Sequence, residues 1–218
     1  MLTQLDLWMD QTTRDGPTNM AVDEWLLRHV ETPVLRVYGW EPGWGSYGYF
    51  VPDEEAAAVM PGLQRVRRWT GGGIVDHRND WTYTLVVPRA DPLAELKGGE
   101  SYRLIHEALV AALREEGVDC RLSGERTVAR GGECFGLAVE HDVIDADGKK
   151  LAGAGQRRTA GGLLHQGSVA GCQSPSLGPR LADLLSESCQ EVTLEIPNAT
   201  IAASIGSRYG RSEWQLRR

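Results

Sequence analysis

The run Arg67-Arg68-Trp69-Thr70-Gly71-Gly72-Gly73-Ile74-Val75-Asp76-His77 constrains this chain more than any other stretch. Three consecutive glycines stand between a basic extended segment and an apolar one. Each glycine loses more backbone entropy on ordering than alanine would, so the run is costly for folding alone. It does permit a sharp turn, a close approach of backbone to a ligand, and N–H donors that point outward. A plain glycine-rich turn would look the same, so the reading needs support from elsewhere in the chain.

Around that run, strands and helices mix without βαβ regularity. Strands are expected at residues 33–38, 46–50, 63–69, 74–75, 81–88, 120–122 and 162–170, with a turn-rich loop at 39–45. Helices are expected at 17–29, 102–116, 179–189 and 196–209. The clearest is 102–116, where Leu104, Ile105, Ala108, Leu109, Ala112 and Leu113 recur at helical spacing and Gly117 follows as a cap. Residues 140–144 and 149–155 read as a hairpin, because Asp147-Gly148 favours the positive φ of a tight turn. The mixture predicts an α+β fold, a mixed β-sheet with flanking helices. With 218 residues and no repeat or linker, one domain over 1–218 is expected.

Charge and composition narrow the partners. A formal net charge of −7 leaves no overall basic footprint for nucleic acid. Two local basic clusters, Arg65-Val66-Arg67-Arg68 and Gln156-Arg157-Arg158, read either as solvated strand edges or as receivers of an acidic ligand or partner. No apolar run reaches membrane-spanning length. Residues 1–11 carry Asp6 and Asp10 and lack the basic start and apolar stretch of a secretory signal, which predicts a cytoplasmic protein. Cys120, Cys134, Cys172 and Cys189 show no metal-ligand spacing, so no metal site or disulfide framework is expected. A free cysteine is by default a small buried hydrophobe.

Two further segments carry chemistry. In Gly148-Lys149-Lys150-Leu151-Ala152-Gly153-Ala154-Gly155-Gln156, strand periodicity puts Lys150, Ala152 and Ala154 on one face. Lys150 would then stand over a floor of small residues; the alternative is a solvated hairpin flank. In Leu164-His165-Gln166-Gly167-Ser168-Val169, a polar stretch interrupts an apolar strand. Such local conflicts concentrate at functional sites, although a histidine satisfied by backbone partners is the other reading.

Together with Gly16-Pro17-Thr18-Asn19-Met20-Ala21-Val22-Asp23-Glu24, these segments occur in an order that resembles the lipoate-protein ligase and octanoyltransferase family, related to biotin-protein ligases. The resemblance covers residues 16–170, and Thr82-Tyr83-Thr84-Leu85-Val86 and Ser101-Tyr102 fit it. The Thr-Gly-Gly-Gly loop resembles the lipoyl rather than the biotin version. The resemblance implies Lys150 as the key lysine, with Lys149 facing away. It also implies an acyl pocket drawn from Arg68, Trp69, Thr70, Gly71, Gly72, Gly73, His77, Gly153, Gln156, His165, Gly167 and Ser168.

The family divides by chemistry. Octanoyltransferases take an acyl thioester from acyl carrier protein, hold it on a cysteine and need no cofactor. Lipoate ligases use ATP and magnesium to form an acyl-adenylate. Here Cys134-Phe135 and its spacing to Asp142 resemble the cysteine octanoyltransferases, and a nearby Lys150 would lower the thiol pKa. The stretch after Ala170 is shorter than the C-terminal domain many ligases add. Against that, Ala154-Gly155-Gln156 replaces the transferase Ser-Ala-Gln, while His141-Asp142 replaces the ligase Asn-Asp. The expected function is transfer of octanoyl or lipoyl to a lysine of a lipoyl domain, through Cys134, with ATP-dependent ligation as the alternative. A catalytically inactive lipoyl-binding protein is a third reading. The implied partners are acyl carrier protein and lipoyl-domain proteins such as glycine cleavage H protein or the E2 of 2-oxoacid dehydrogenases. Arg65, Arg67, Arg157 and Arg158 are the expected receivers of these acidic carriers.

Overall fold

The central strands are buried along most of their length, because the large sheet is covered by a separate hydrophobic core on each face. The computed structural model describes residues 1–124 and 138–217. In chain order the strands are β1 (Leu5–Arg14), β2 (Val34–Trp40), β3 (Trp44–Tyr47), β4 (Gln64–Arg67), β5 (Ile74–Asp76), β6 (Asp80–Pro88), β7 (Cys120–Leu122), β8 (Val143–Asp145), β9 (Lys150–Thr159), β10 (Gly162–Ala170) and β11 (Cys189–Glu191). Eight of them form a sheet in the order β11-β1-β2-β6-β10-β9-β8-β7, and β4-β3-β5 form a smaller one. Strand β1 pairs parallel with both neighbours, whereas β2-β6, β6-β10 and β10-β9 are antiparallel. The sheet is therefore mixed, and the α+β expectation holds.

The helices are α1 (Gly16–His29), α2 (Asp53–Val59), α3 (Pro92–Glu95), α4 (Gly98–Glu115), α5 (Leu177–Leu185), α6 (Asn198–Ser204) and α7 (Ser212–Gln215). Helices α4 and α5 share a core with Tyr83, Leu85, Ala152 and Leu163. Helices α1 and α6 share the other with Val34, Val86 and Leu164. Adjacent residues Leu163 and Leu164 thus serve different cores, as a period of two requires. Helix α1 starts where the Asp15 carboxylate accepts the Thr18 N–H at 2.8 Å, with Pro17 in the first turn. Helix α4 ends before Gly117, whose φ of +83° supplies the left-handed residue of the cap.

Several expectations need correction. Residues 5–14, not assigned to an element from sequence, form β1, a strand inside the large sheet. The loop at 39–45 is shorter, because β2 runs to Trp40 and β3 begins at Trp44. The helix expected to reach Cys189 stops at Leu185, and Cys189 opens β11 opposite Leu5. The last helix is α6 followed by a π-helical turn, Ile205–Tyr209. The β8-β9 hairpin forms, with Gly148 at φ +83°. It carries a bulge: Val143 pairs with Ala152 but Ile144 with Lys150, so Leu151 is an extra residue on β9.

Candidate functional site

The bulge decides where Lys150 points. Ala152 stays in the core under α4. The Lys150 chain instead swings to the other side, where a Cβ on Gly153 would lie 2.6 Å from Lys150 Nζ. Lys150, Ala152 and Ala154 therefore do not share a face as expected; Lys150 lies over Gly153. Its Nζ sits 2.8 Å from Asp142 Oδ2 with the side chain 29% exposed. Asp142 is fully buried, and it also accepts from Tyr102 O–H at 2.5 Å and from the Val139 N–H at 2.8 Å. Burial and the Asp142 charge hold the Tyr102 phenol well above its ordinary pKa, so it remains a donor. Lys149 is exposed.

The glycine loop lies along the same side of β9. A Cβ on Gly155 would meet Gly71 O at 2.4 Å, and one on Gly48 would meet Gly72 O at 2.0 Å. Only glycine at these two walls lets the loop lie so close, and Gly72 itself takes φ +91°. Gly153 and Gly155 are two residues apart on one strand, a repeat of roughly 7 Å, so Lys150 and the loop are neighbours. Three of the loop's carbonyls are occupied: Thr70 O accepts from Tyr49 N, Gly73 O from Gly48 N and Arg68, and Gly71 O from Arg68. Among the described residues, the N–H groups of Gly71, Gly72 and Gly73 meet no acceptor. Arg68 is buried without a carboxylate partner among the described residues, and burial brings its pKa down to about 10. It remains a cation at neutral pH beneath the loop. Free N–H donors above a buried cation favour negative charge at this spot.

A family model for the lipoyl protein ligase A/B catalytic domain matches residues 15–176. The chain belongs to this family. Among similar proteins, the octanoyltransferase LipM of Kyrpidia tusciae is 38% identical over 69% of this chain and 60% of its own length. The octanoyltransferase LipM of Staphylococcus aureus is 30% identical over 77% of this chain and 66% of its own. The chain thus spans less than two thirds of these relatives. A T. acidophilum protein solved with bound lipoic acid has a TM-score of 0.77 at 20% identity, covering 99% of both chains. Lipoate-protein ligase A bound with ATP has a TM-score of 0.73 at 21% identity, again covering 99% of both. At such identity the structural likeness is one of fold.

The structure divides the remaining ligase-family motif residues between faces. On the Lys150 side, Thr70 Oγ1 donates to Gln166 Oε1 at 2.7 Å, and Gln166 Nε2 donates to Asp23 at 2.7 Å. Asp23, on α1, also accepts from Arg36, Tyr38 and Thr84, so the loop is tied to a buried polar network. Ser168 Oγ reaches Asp80 at 2.6 Å. His165 and Gln156 point to the opposite face, under α4. Fully buried His165 bonds Tyr83 O–H at 3.1 Å and Gln156 at 3.0 Å, and burial holds its pKa well below the usual histidine value. Gly167 is on that face too, where a Cβ would strike the Tyr83 ring at 2.3 Å. His77 is enclosed, 3% exposed, with Trp40 stacked on it at 3.8 Å. His165, Gln156, Gly167 and His77 therefore shape the site from behind.

The basic clusters divide as well. Arg67 is buried and donates to the carbonyls of Tyr49, Val51, Trp214, Gln215 and Arg217, which removes it from any docking role. Arg65 pairs with Asp53, and Arg158 turns inward to Ser101 and Gln156. Arg157 is half-buried, donates to the Trp69 carbonyl and stacks over its ring at 4.4 Å, with Arg208, itself paired with Glu24, over the same ring at 4.6 Å. Cys134 lies outside the described residues.

Sequence reasoning passed over Gly48, Ser46, Asp80 and Asp23 as site residues. Gly48 offered a signal, a lone glycine next to strand residues, which marks a close backbone approach.

Proposed function

We propose that this chain transfers an octanoyl or lipoyl group to a lysine of a lipoyl domain in the cytoplasm. The observation that carries the reading is the Lys150 ammonium near three N–H groups that meet no acceptor among the described residues, with Arg68, which has no carboxylate partner among them, behind the loop. Such a corner stabilises the oxyanion that forms when a thioester carbonyl is attacked. The names of the relatives support octanoyl transfer rather than adenylation.

In this reading the Cys134 thiolate attacks the carrier's thioester, forming an acyl-Cys134 thioester and releasing the carrier thiol. The acceptor lysine amine then attacks that thioester, giving an amide and returning the thiol. Acyl carrier protein and the lipoyl domain, both acidic, dock on the side of Trp69, where Arg157 and Arg208 flank the loop and Phe50 is 84% exposed.

Intact-mass measurement of an apo lipoyl domain incubated with octanoyl-acyl carrier protein tests this. One octanoyl group should be gained without ATP, lost with Cys134→Ala, and matched by an acyl-enzyme in the absence of acceptor. Modification only with free lipoate, ATP and magnesium would instead make the chain a ligase. Acyl binding with no modification would make it a carrier.

A further inference from the structure

A chain of four side chains runs behind the glycine loop. Arg68 NH1 donates to Ser46 Oγ at 2.8 Å, Ser46 Oγ lies 2.7 Å from His77 Nε2, and His77 Nδ1 lies 2.9 Å from Asp80 Oδ2. It has the connectivity of a nucleophilic triad, but its chemistry differs. Ser46 is fully buried and its oxygen already accepts from a guanidinium, so it is no nucleophile for an acyl group. The partners fix every proton. Asp80 also accepts from Thr82 and Ser168 hydroxyls, so His77 Nδ1 carries the hydrogen and donates to it. Nε2 is then a lone pair that accepts Ser46 O–H, which leaves the Ser46 oxygen to Arg68. The neutral Ser46-His77 pair thus spans a buried cation and a buried carboxylate.

The other end of Arg68 does the useful thing. Its NH2 group holds Gly71 O at 3.2 Å and Gly73 O at 2.8 Å. A peptide unit is planar, so the held Gly71 carbonyl fixes the Gly72 N–H and the held Gly73 carbonyl fixes the Ile74 N–H. We propose that His77 is a positioning residue: through Ser46 it sets the Arg68 guanidinium, which aims the Gly72 N–H at the centre of the glycine loop. Its link to rate rests on the acyl-transfer reading above, while its effect on the loop does not. Trp40, stacked on the imidazole with an interplanar angle of 9° and donating to Thr82, keeps the ring in this plane.

Ser46→Ala, His77→Gln, His77→Asn and the Ser46→Ala/His77→Gln double variant test it in the full chain. Ser46→Ala should lower kcat for octanoyl transfer about 10-fold or more, with KM for the carrier nearly unchanged, as for loss of a transition-state contact. His77→Gln, which can still accept near Nε2, should retain more kcat than His77→Asn. The double variant should be no slower than the slower single, since both break one path. Independently of activity, hydrogen exchange in a peptide spanning residues 68–76 should speed up in Ser46→Ala, while α4 stays unchanged. Unchanged exchange in that peptide overturns the proposal, as do wild-type kcat in Ser46→Ala or additive effects in the double. Faster loop exchange in a chain whose wild type transfers no acyl group would sink the functional reading and keep the relay.

Discussion

Strands β9 and β10 present two polar faces of opposite character. One face, with Lys150, Gly153, Gly155 and the loop beside it, has donors without acceptors and a cation without a carboxylate among the described residues. The other, with Gln156, His165 and Tyr83 under α4, is closed and hydrogen-bonded through. The two are one residue apart in sequence: His165 belongs to the closed face and Gln166 to the open one. A motif that reads as one unit along the chain is thus a ligand surface and a scaffold back to back. Unsatisfied donors above an unpaired cation are what a developing negative charge needs. A buried hydrogen-bonded network gives rigidity and holds that surface in place.

The comparison can be broken in several ways. Lys150→Ala should have the largest effect, lowering octanoyl transfer by about 10²–10³-fold with little change in melting temperature. An equal loss of stability would mean that Lys150 is scaffold. His165→Leu should do the reverse. It strands Tyr83 O–H and the Gln156 amide in a buried site, costing about 3 kcal/mol in urea unfolding, with kcat of the folded fraction nearly kept.

Acid should act on the closed face first. Burial lowers the His106 pKa to about 4, and that of His165 falls as well. Unfolded histidines bind protons near pH 6.5, so the unfolded state takes up more protons between about pH 6.5 and 4. Stability from these groups is full above that range and is lost as pH falls through it, on the order of 2 kcal/mol for His106 between pH 7 and 5. His106→Leu should flatten the slope in a pH series of urea midpoints; an unchanged slope would place the sensitivity elsewhere. The smallest effect belongs to the rim. Arg157→Glu should raise KM for the acidic carrier about 10-fold at low salt, and less at high salt, without touching kcat. A salt-independent change would remove the docking role of the Trp69 side.

Much of this was legible in the sequence. The helical spacing around Ile105 and Leu109, the Asp-Gly turn and the triple glycine each follow from local chemistry, and each falls where expected. The direction of Lys150 was not legible, because it depends on a bulge at Leu151 set by pairing with β8. Nor was the fate of Arg67, since its carbonyl partners come from the distant residues Trp214, Gln215 and Arg217. The relay through Ser46 and Asp80 was hidden for the same reason: it joins β3, the start of β6 and Arg68 just past β4, which only the tertiary fold brings together.

A crystal structure with octanoate bound tests the central claim most directly. The carboxylate should lie within hydrogen-bond distance of the Gly71–Gly73 N–H groups and of Lys150, with no contact to His165. A carboxylate held away from the glycine loop, or bound under α4 beside His165, would contradict the account.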